Sequence, residues 1–312
     1  MNIQEKRRYA TEVAQLDMRI ANLRRADGKL TLGLETDAGM LDLAATAALL
    51  QMSAPCDMDD LLQNQRAGDL SAILEAVERT GTLRLMSDAD VAFAPVVTRP
   101  EKIICVGFNY RSHVEETGVS LPKAPPLFSK FNNALNHHDG VVNLPLHIDR
   151  EFDYETELVI VFGRTCRDVS ESDALDVVAG YATGNDMSAR TLQSNTSQFL
   201  AGKCLDGFAP IGPWLVPRDR VPDPNALRIQ TSVNRELRQD ANTADMIFSC
   251  RQLISYVSSL MTIKPGDVVF TGTPQGVILG QKIPREQRQW LKPGDTVVSS
   301  LEGLGDLRVT LR

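Results

Sequence analysis

The period of the apolar positions changes along this chain. Residues 59–80, DDLLQNQRAGDLSAILEAVERT, repeat at helical spacing and run down to Gly81, which predicts a helix with a glycine stop. Upstream, Asp17 to Asp42 reads as short strands around an Asp27-Gly28 turn. AFAPVVTRPEK, residues 92–102, carries two prolines and reads as a linker. From Ile103 onward strand-like runs recur: IICVGF, ELVIVFG, APIGPWLV, LRIQTSV, DVVFTGT and DTVVSSL. Helices are expected at Ser170–Ala179 and Arg251–Met261. Lys264-Pro265-Gly266-Asp267 and Lys292-Pro293-Gly294-Asp295 echo one another, each a Pro-Gly turn that launches a strand. This texture predicts a smaller N-terminal α+β unit, residues 1–95. It is followed by a mostly β body, residues 96–312, with a barrel- or roll-like course rather than a βαβ sheet.

Charge and composition narrow the partners. The 312 residues are 43% hydrophobic and 23% charged, with net charge −7. No basic run offers itself to nucleic acid or to an anionic membrane surface. No window approaches the roughly 18 apolar residues of a membrane helix. Arg7-Arg8 near the N-terminus is not followed by an apolar segment, so a signal peptide is not expected. Cys56, Cys105, Cys166, Cys204 and Cys250 are odd in number and scattered without a CxxC, which fits reduced thiols in a cytoplasmic protein. Four histidines make a poly-histidine metal site improbable.

The candidate chemistry begins at DYETELVIVFG, residues 153–163. Side chains two apart on a strand share a face, so Glu155 and Glu157 sit side by side with Asp153 behind them. Two such carboxylates repel, the more so when desolvated. A divalent cation removes the conflict, and all-oxygen ligation favours Mg²⁺, Mn²⁺ or Ca²⁺ over zinc. Asp186, in GNDMSAR after the apolar GYATG, is the best third donor. Taken alone, the acidic pair also reads as a solvated strand end.

Read together, GFNYRSHVEE (107–116), FSKF (128–131), DYETELVIVFG, GNDMSARTLQ, GKCLDGFAPIGP (202–213), TGTPQGV (271–277) and LEGLGDLR resemble, in order and spacing, the fumarylacetoacetate hydrolase family over roughly residues 100–312. The resemblance implies a mixed β-roll around a metal site, in a homodimer. It also implies a divalent metal, Mg²⁺ first, held by Glu155, Glu157 and Asp186. Asp153 then becomes a supporting or turn residue.

His113 and Glu116 lie three apart and share a face if Arg111–Thr117 is helical. A carboxylate on one imidazole nitrogen fixes the tautomer and makes the other a better base. The matching pair in family hydrolases activates water; the bland alternative is a surface His–Glu pair. The resemblance also assigns Lys203 to stabilising the developing oxyanion or carbanion. It assigns Arg190, Gln193, Thr273 and Lys130 to substrate binding. Against these stand a structural ion pair for Arg190 and a plain turn for Thr273. Asn109 and Tyr110 begin the lid segment. His137, His138 and His147 are expected at the surface, Cys204 and Cys105 buried.

The function implied is hydrolysis of a C–C bond in a 2,4-dioxo acid (an acylpyruvate or related β-diketo acid). The alternatives on this scaffold are oxaloacetate decarboxylation and isomerisation, hydration or lyase chemistry on hydroxymuconate-type dienes. A non-enzyme alternative is a metal-binding dimer that has lost catalysis. Arg235, in VNREL where the family usually has glycine, puts that turn's conformation in doubt.

Overall fold

The computed structural model describes residues 12–87 and 92–312. The Arg7-Arg8 stretch lies outside them. Thr156–Phe162 runs through the middle of an eleven-stranded sheet. It pairs antiparallel with Val178–Asn185 on one side and Val268–Phe270 on the other. All seven residues of this strand are buried, which explains its unbroken apolar run: neighbours cover both faces. Ile103–Val106 and Leu127–Lys130 extend one flank. Ala209–Pro217 extends the other.

The N-terminal hairpin, Ile20–Arg24 with Leu30–Thr36, continues this same sheet through the pair Ile20–Leu215. One apolar core therefore contains Leu32, Leu34 and Leu61 together with Val159, Val161 and Phe270. A five-stranded sheet, Arg228–Val233, Glu236–Asn242, Thr296–Leu301, Gly305–Leu311 and Gly140–Val142, completes the roll. Among the described residues no helix is long and apolar enough to cross a membrane.

The two Lys-Pro-Gly-Asp echoes fold alike. Gly266 and Gly294 take φ of +87° and +94°, the value a type II turn needs at its third position. The aspartate of each accepts the amide of the lysine three residues back, at 2.9 Å in both. The strand begins at the next residue.

Three expectations change in detail. The helix expected over 59–80 is two helices, Met58–Gln63 and Ala67–Thr80. Between them Gln65 is left-handed (φ 54°), and the amides of Arg66 and Gln65 return to the carbonyls of Leu61 and Leu62, a Schellman stop. The helix expected over Ser170–Ala179 is a turn and a short 3₁₀ segment, Ala174–Val177. Strand pairing on both sides of Val178–Asn185 overrides the local pattern. The last helix spans Cys250–Leu260, started by a Ser249–Gln252 capping box.

Candidate functional site

The acidic strand enters the sheet already anchored. Glu155 donates its amide to the Asn185 side chain at 3.0 Å. The Asp186 amide donates to the Glu155 carbonyl at 2.8 Å. These bonds tie the start of one strand to the end of its neighbour, and so bring Glu155, Glu157 and Asp186 together. Their carboxylate oxygens lie within 4.8 Å of one another, and all three residues are buried. Thr156, between the glutamates, points away into a polar layer with Thr231 and Ser299.

Electrostatics divides the trio. Burial and repulsion from Asp186 and Glu155 push the Glu157 carboxyl well above its ordinary range. Burial alone would raise Glu155 too, but the charges of Lys203 and Arg190 hold it far below. Lys203 Nζ sits 2.6 Å from Glu155 and 2.7 Å from Asp186. Burial works against its charge, yet those carboxylates raise its pKa. Asp186 Oδ1 is buried and makes no hydrogen bond; Lys130 Nζ lies 2.7 Å away, off the bonding direction. Three converging buried carboxylates, one of them pushed toward protonation, in an all-oxygen set fit a divalent cation.

The expected substrate-binding residues separate into two groups. Arg190 and Gln193, on the short helix Arg190–Ser194, line a cavity of about 50 Å³ with Glu155, Glu157, Lys203 and Thr273. Arg190 Nη2 contacts Asp153 at 2.8 Å and Glu155 at 2.7 Å, and Nη1 donates to Gln193 at 2.9 Å. Thr273 donates to the Thr156 carbonyl at 2.9 Å. Lys130 lies outside the cavity lining: its ammonium is committed to Asp186 and to the carbonyls of Met187, Lys203 and Phe208. It stands behind the trio instead of facing a ligand.

Across the same cavity stands His113, on the helix Arg111–Thr117. Its Nδ1 is 2.9 Å from Glu116 Oε1, the i,i+3 pairing expected of a helix. His113 is only 5% exposed, so the surface-pair reading does not hold. The Phe108 ring stacks on the imidazole at 6.1 Å. Asn109 is a clamp: its amide donates to the Thr271 and Phe248 carbonyls and its oxygen accepts the Phe248 amide.

Some supporting residues had no signal in the sequence. Gln239, on the second sheet, donates to Thr273 Oγ1 at 3.0 Å and to the Pro274 carbonyl at 2.9 Å. Asn185 and Gly272, whose amide donates to Glu157 at 2.7 Å, lie within the family-like motifs, but nothing local marks them as supports of the trio. Asp153 was visible as an acidic neighbour; its oxygens accept the amides of Ile278 and Leu279 at 2.9 Å. Three background expectations shift, His137 being half-buried as well. His138 is half-buried against Phe93 at 4.9 Å. Cys204 is likewise half-buried and takes a hydrogen bond from the Phe131 amide at 3.0 Å. His147 is exposed and Cys105 buried, as expected.

A rolled sheet whose wall carries a buried carboxylate trio opposite a His–Glu pair defines a narrow class. The chain belongs to the fumarylacetoacetate (FAA) hydrolase family, whose C-terminal model matches residues 102–312. It is 40% identical over 279 residues to human "Oxaloacetate tautomerase FAHD2A, mitochondrial", covering 88% of this chain and 85% of that protein. Among solved structures it is similar to maleylpyruvate hydrolase from Sphingobium sp. SYK-6 in complex with manganese(II) ion and pyruvate. That likeness has a TM-score of 0.72 and 30% identity, covering 94% of this chain and 98% of the other. A fumarylacetoacetate hydrolase from Exiguobacterium antarcticum superposes with a TM-score of 0.76 at 29% identity, covering 95% and 99%.

Proposed function

We propose that this protein interconverts the keto and enol forms of oxaloacetate, or of a closely similar 2-oxo diacid, with Mg²⁺ at Glu155, Glu157 and Asp186. The observation that carries the reading is one cavity lined by His113, whose Nδ1 meets Glu116, and by Glu155 and Glu157 of the buried trio. The substrate comes from the relatives: proteins 39–40% identical to this chain are named oxaloacetate tautomerases. It shares its substrate with the decarboxylase alternative and its isomerising chemistry with the diene alternative, and the relatives' names give it precedence over C–C hydrolysis.

When bound, the metal would supply Lewis acidity to a chelated 2-oxo carboxylate. The rest falls to the chain. Glu116 holds Nδ1 of His113, leaving Nε2 to carry the proton. His113 removes a proton from the carbon next to the ketone and delivers it to the ketone oxygen. No atom is gained or lost, and no water is consumed. Arg190 and Lys203 place positive charge where the enolate oxygen develops. Phe108, Phe128 and Phe199 line the cavity and exclude water from it.

Hydrolysis of an acylpyruvate remains as a second reading, because the same His–Glu pair can deprotonate water and a maleylpyruvate hydrolase shares the fold. We also propose the homodimer implied by the family, and a cytoplasmic setting suggested by the five unpaired cysteines.

The test follows enol absorbance of oxaloacetate with and without Mg²⁺, beside pyruvate release from an acylpyruvate panel. Metal-dependent equilibration without loss of substrate supports tautomerisation. Pyruvate release from acylpyruvates moves the assignment to hydrolysis; silence on both, with metal bound, favours the non-catalytic dimer. His113→Ala is expected to lower kcat by about 10²–10⁴ while Mg²⁺ still binds. Loss of metal in that variant removes His113 from the base role.

A further inference from the structure

The residue between Asp153 and Glu155 has no part in the chemistry described so far. Tyr154 is 1% exposed and packs with Val233, Ile278 and Leu291, facing away from the trio. Its hydroxyl donates to the Gly276 carbonyl at 2.9 Å. The amide of that same Gly276 donates to Glu116 Oε2 at 3.0 Å. The other Glu116 oxygen holds His113 Nδ1 at 2.9 Å. Tyr154, Gly276, Glu116 and His113 are thus linked in series, by hydrogen bonds and through the Gly276 backbone, from the back of the acidic strand to the candidate base.

We propose that Tyr154 is a positioning residue for the His113–Glu116 pair, acting through Gly276. The inference rests on the reading that His113 moves the proton. Three features support it. Gly276 has φ +99°, and a Cβ there would lie 2.3 Å from the Arg238 carbonyl, so its amide and carbonyl are aimed by a conformation that glycine adopts freely. Glu116 rests against the bare Cα of Gly280, where a Cβ would lie 2.3 Å from the carboxyl carbon. Ser112, on the same helix as His113, also touches the Gln275 side chain beside this loop. The helix therefore lies on residues 275–280, and Tyr154 holds that loop from beneath. Without the phenol, the Gly276 carbonyl loses its donor and the neighbouring amide is free to turn away from Glu116. The carboxylate then ceases to fix which imidazole nitrogen carries the proton.

The experiment uses the full chain with Mg²⁺ and the substitution Tyr154→Phe. The His113 tautomer and titration midpoint are read by ¹⁵N NMR of labelled histidine, the signal being assigned by its loss in His113→Ala. Oxaloacetate kcat and KM, and Mg²⁺ affinity by calorimetry, are measured alongside. The expected result is a changed tautomer population, a displaced pH–rate limb and a kcat lowered about tenfold, as for other outer hydrogen-bond partners, with KM and Mg²⁺ affinity within about twofold. Gly280→Ala, which displaces Glu116 from the other side, is expected to disturb the same His113 signal and carries the test if Tyr154→Phe does not fold. An unchanged His113 signal in the folded variant, or a parallel loss of Mg²⁺ affinity, overturns the proposal. Wild-type protein inert toward oxaloacetate would sink the proposed reaction, and the NMR comparison would still decide this inference.

Discussion

The two walls of the cavity are built on different terms. The carboxylate wall is made of neighbouring strands, and its groups are pinned by long-range contacts: Asn185 on Glu155, Gly272 on Glu157, Lys130 and Lys203 on Asp186. The opposite wall is the short helix Arg111–Thr117, whose functional face is held by one carboxylate and one backbone amide. The sheet lets like charges be packed because each is given a partner. The helix keeps the candidate base aligned with few constraints, which would suit a part that admits substrate.

Within the carboxylate wall the three acids are also unequal, and two isosteric substitutions expose this. Asp186 faces two buried ammonium groups. Asp186→Asn leaves Lys130 without a carboxylate partner and Lys203 with Glu155 alone, and removing one member of a buried pair costs about 3–5 kcal/mol. Glu157 has burial and two carboxylates against it. Glu157→Gln should therefore stabilise the metal-free protein, while keeping an acceptor for the Gly272 amide. Both should lose Mg²⁺ affinity. Denaturant unfolding of the metal-free variants decides the matter: equal destabilisation by the two would show that the acids are not divided as described.

The same division sets a pH dependence. Glu157 has a raised folded pKa, so it favours folding while protonated. Its contribution is fully present below the ordinary carboxylate pKa and is lost as pH rises through the raised value. At the proposed metal site a divalent cation would take the place of that proton. The thermal stabilisation by Mg²⁺ should therefore be larger at pH 8 than at pH 5.5, reaching about 2.7 kcal/mol at 100-fold excess over Kd. A gain in Tm that is constant with pH, or larger in acid, would contradict the assignment of Glu157.

The contrast between the walls also marks what the sequence shows. Glu155 and Glu157 are legible because a strand repeats every two residues. His113 and Glu116 are legible because a helix brings i and i+3 together. What holds them is long-range and left no local trace. Gln239 reaches Thr273 from another sheet, and Gly276 meets Glu116 across 160 residues. The joining of the N-terminal hairpin to the main sheet turns on Ile20 and Leu215, which no local pattern links. Lys130 was legible as a residue near the site, but not as one already occupied by three carbonyls. Ser170–Ala179 failed for the opposite reason: its helical pattern is real, and pairing of Val178 onward with two neighbours outweighs it.

The smallest expected effect lies far from either wall. The hairpin between Arg228–Val233 and Glu236–Asn242 turns at Asn234 and Arg235, with φ of 51° and 72°. Positive φ at both central positions is the type I′ turn that matches strand twist. The glycine usual at the second position would adopt it freely. The arginine keeps the conformation because Asn234 locks the turn, donating to Asp295 at 2.8 Å and accepting the Thr296 amide at 2.9 Å. A left-handed non-glycine residue costs about 1–2 kcal/mol, and glycine returns part of that gain through its looser unfolded chain. Arg235→Gly is thus expected to stabilise the fold by about 1 kcal/mol, read as a higher denaturant midpoint at constant slope, with Mg²⁺ affinity unchanged. A lower midpoint would mean that Arg235 makes a contact worth more than its backbone strain.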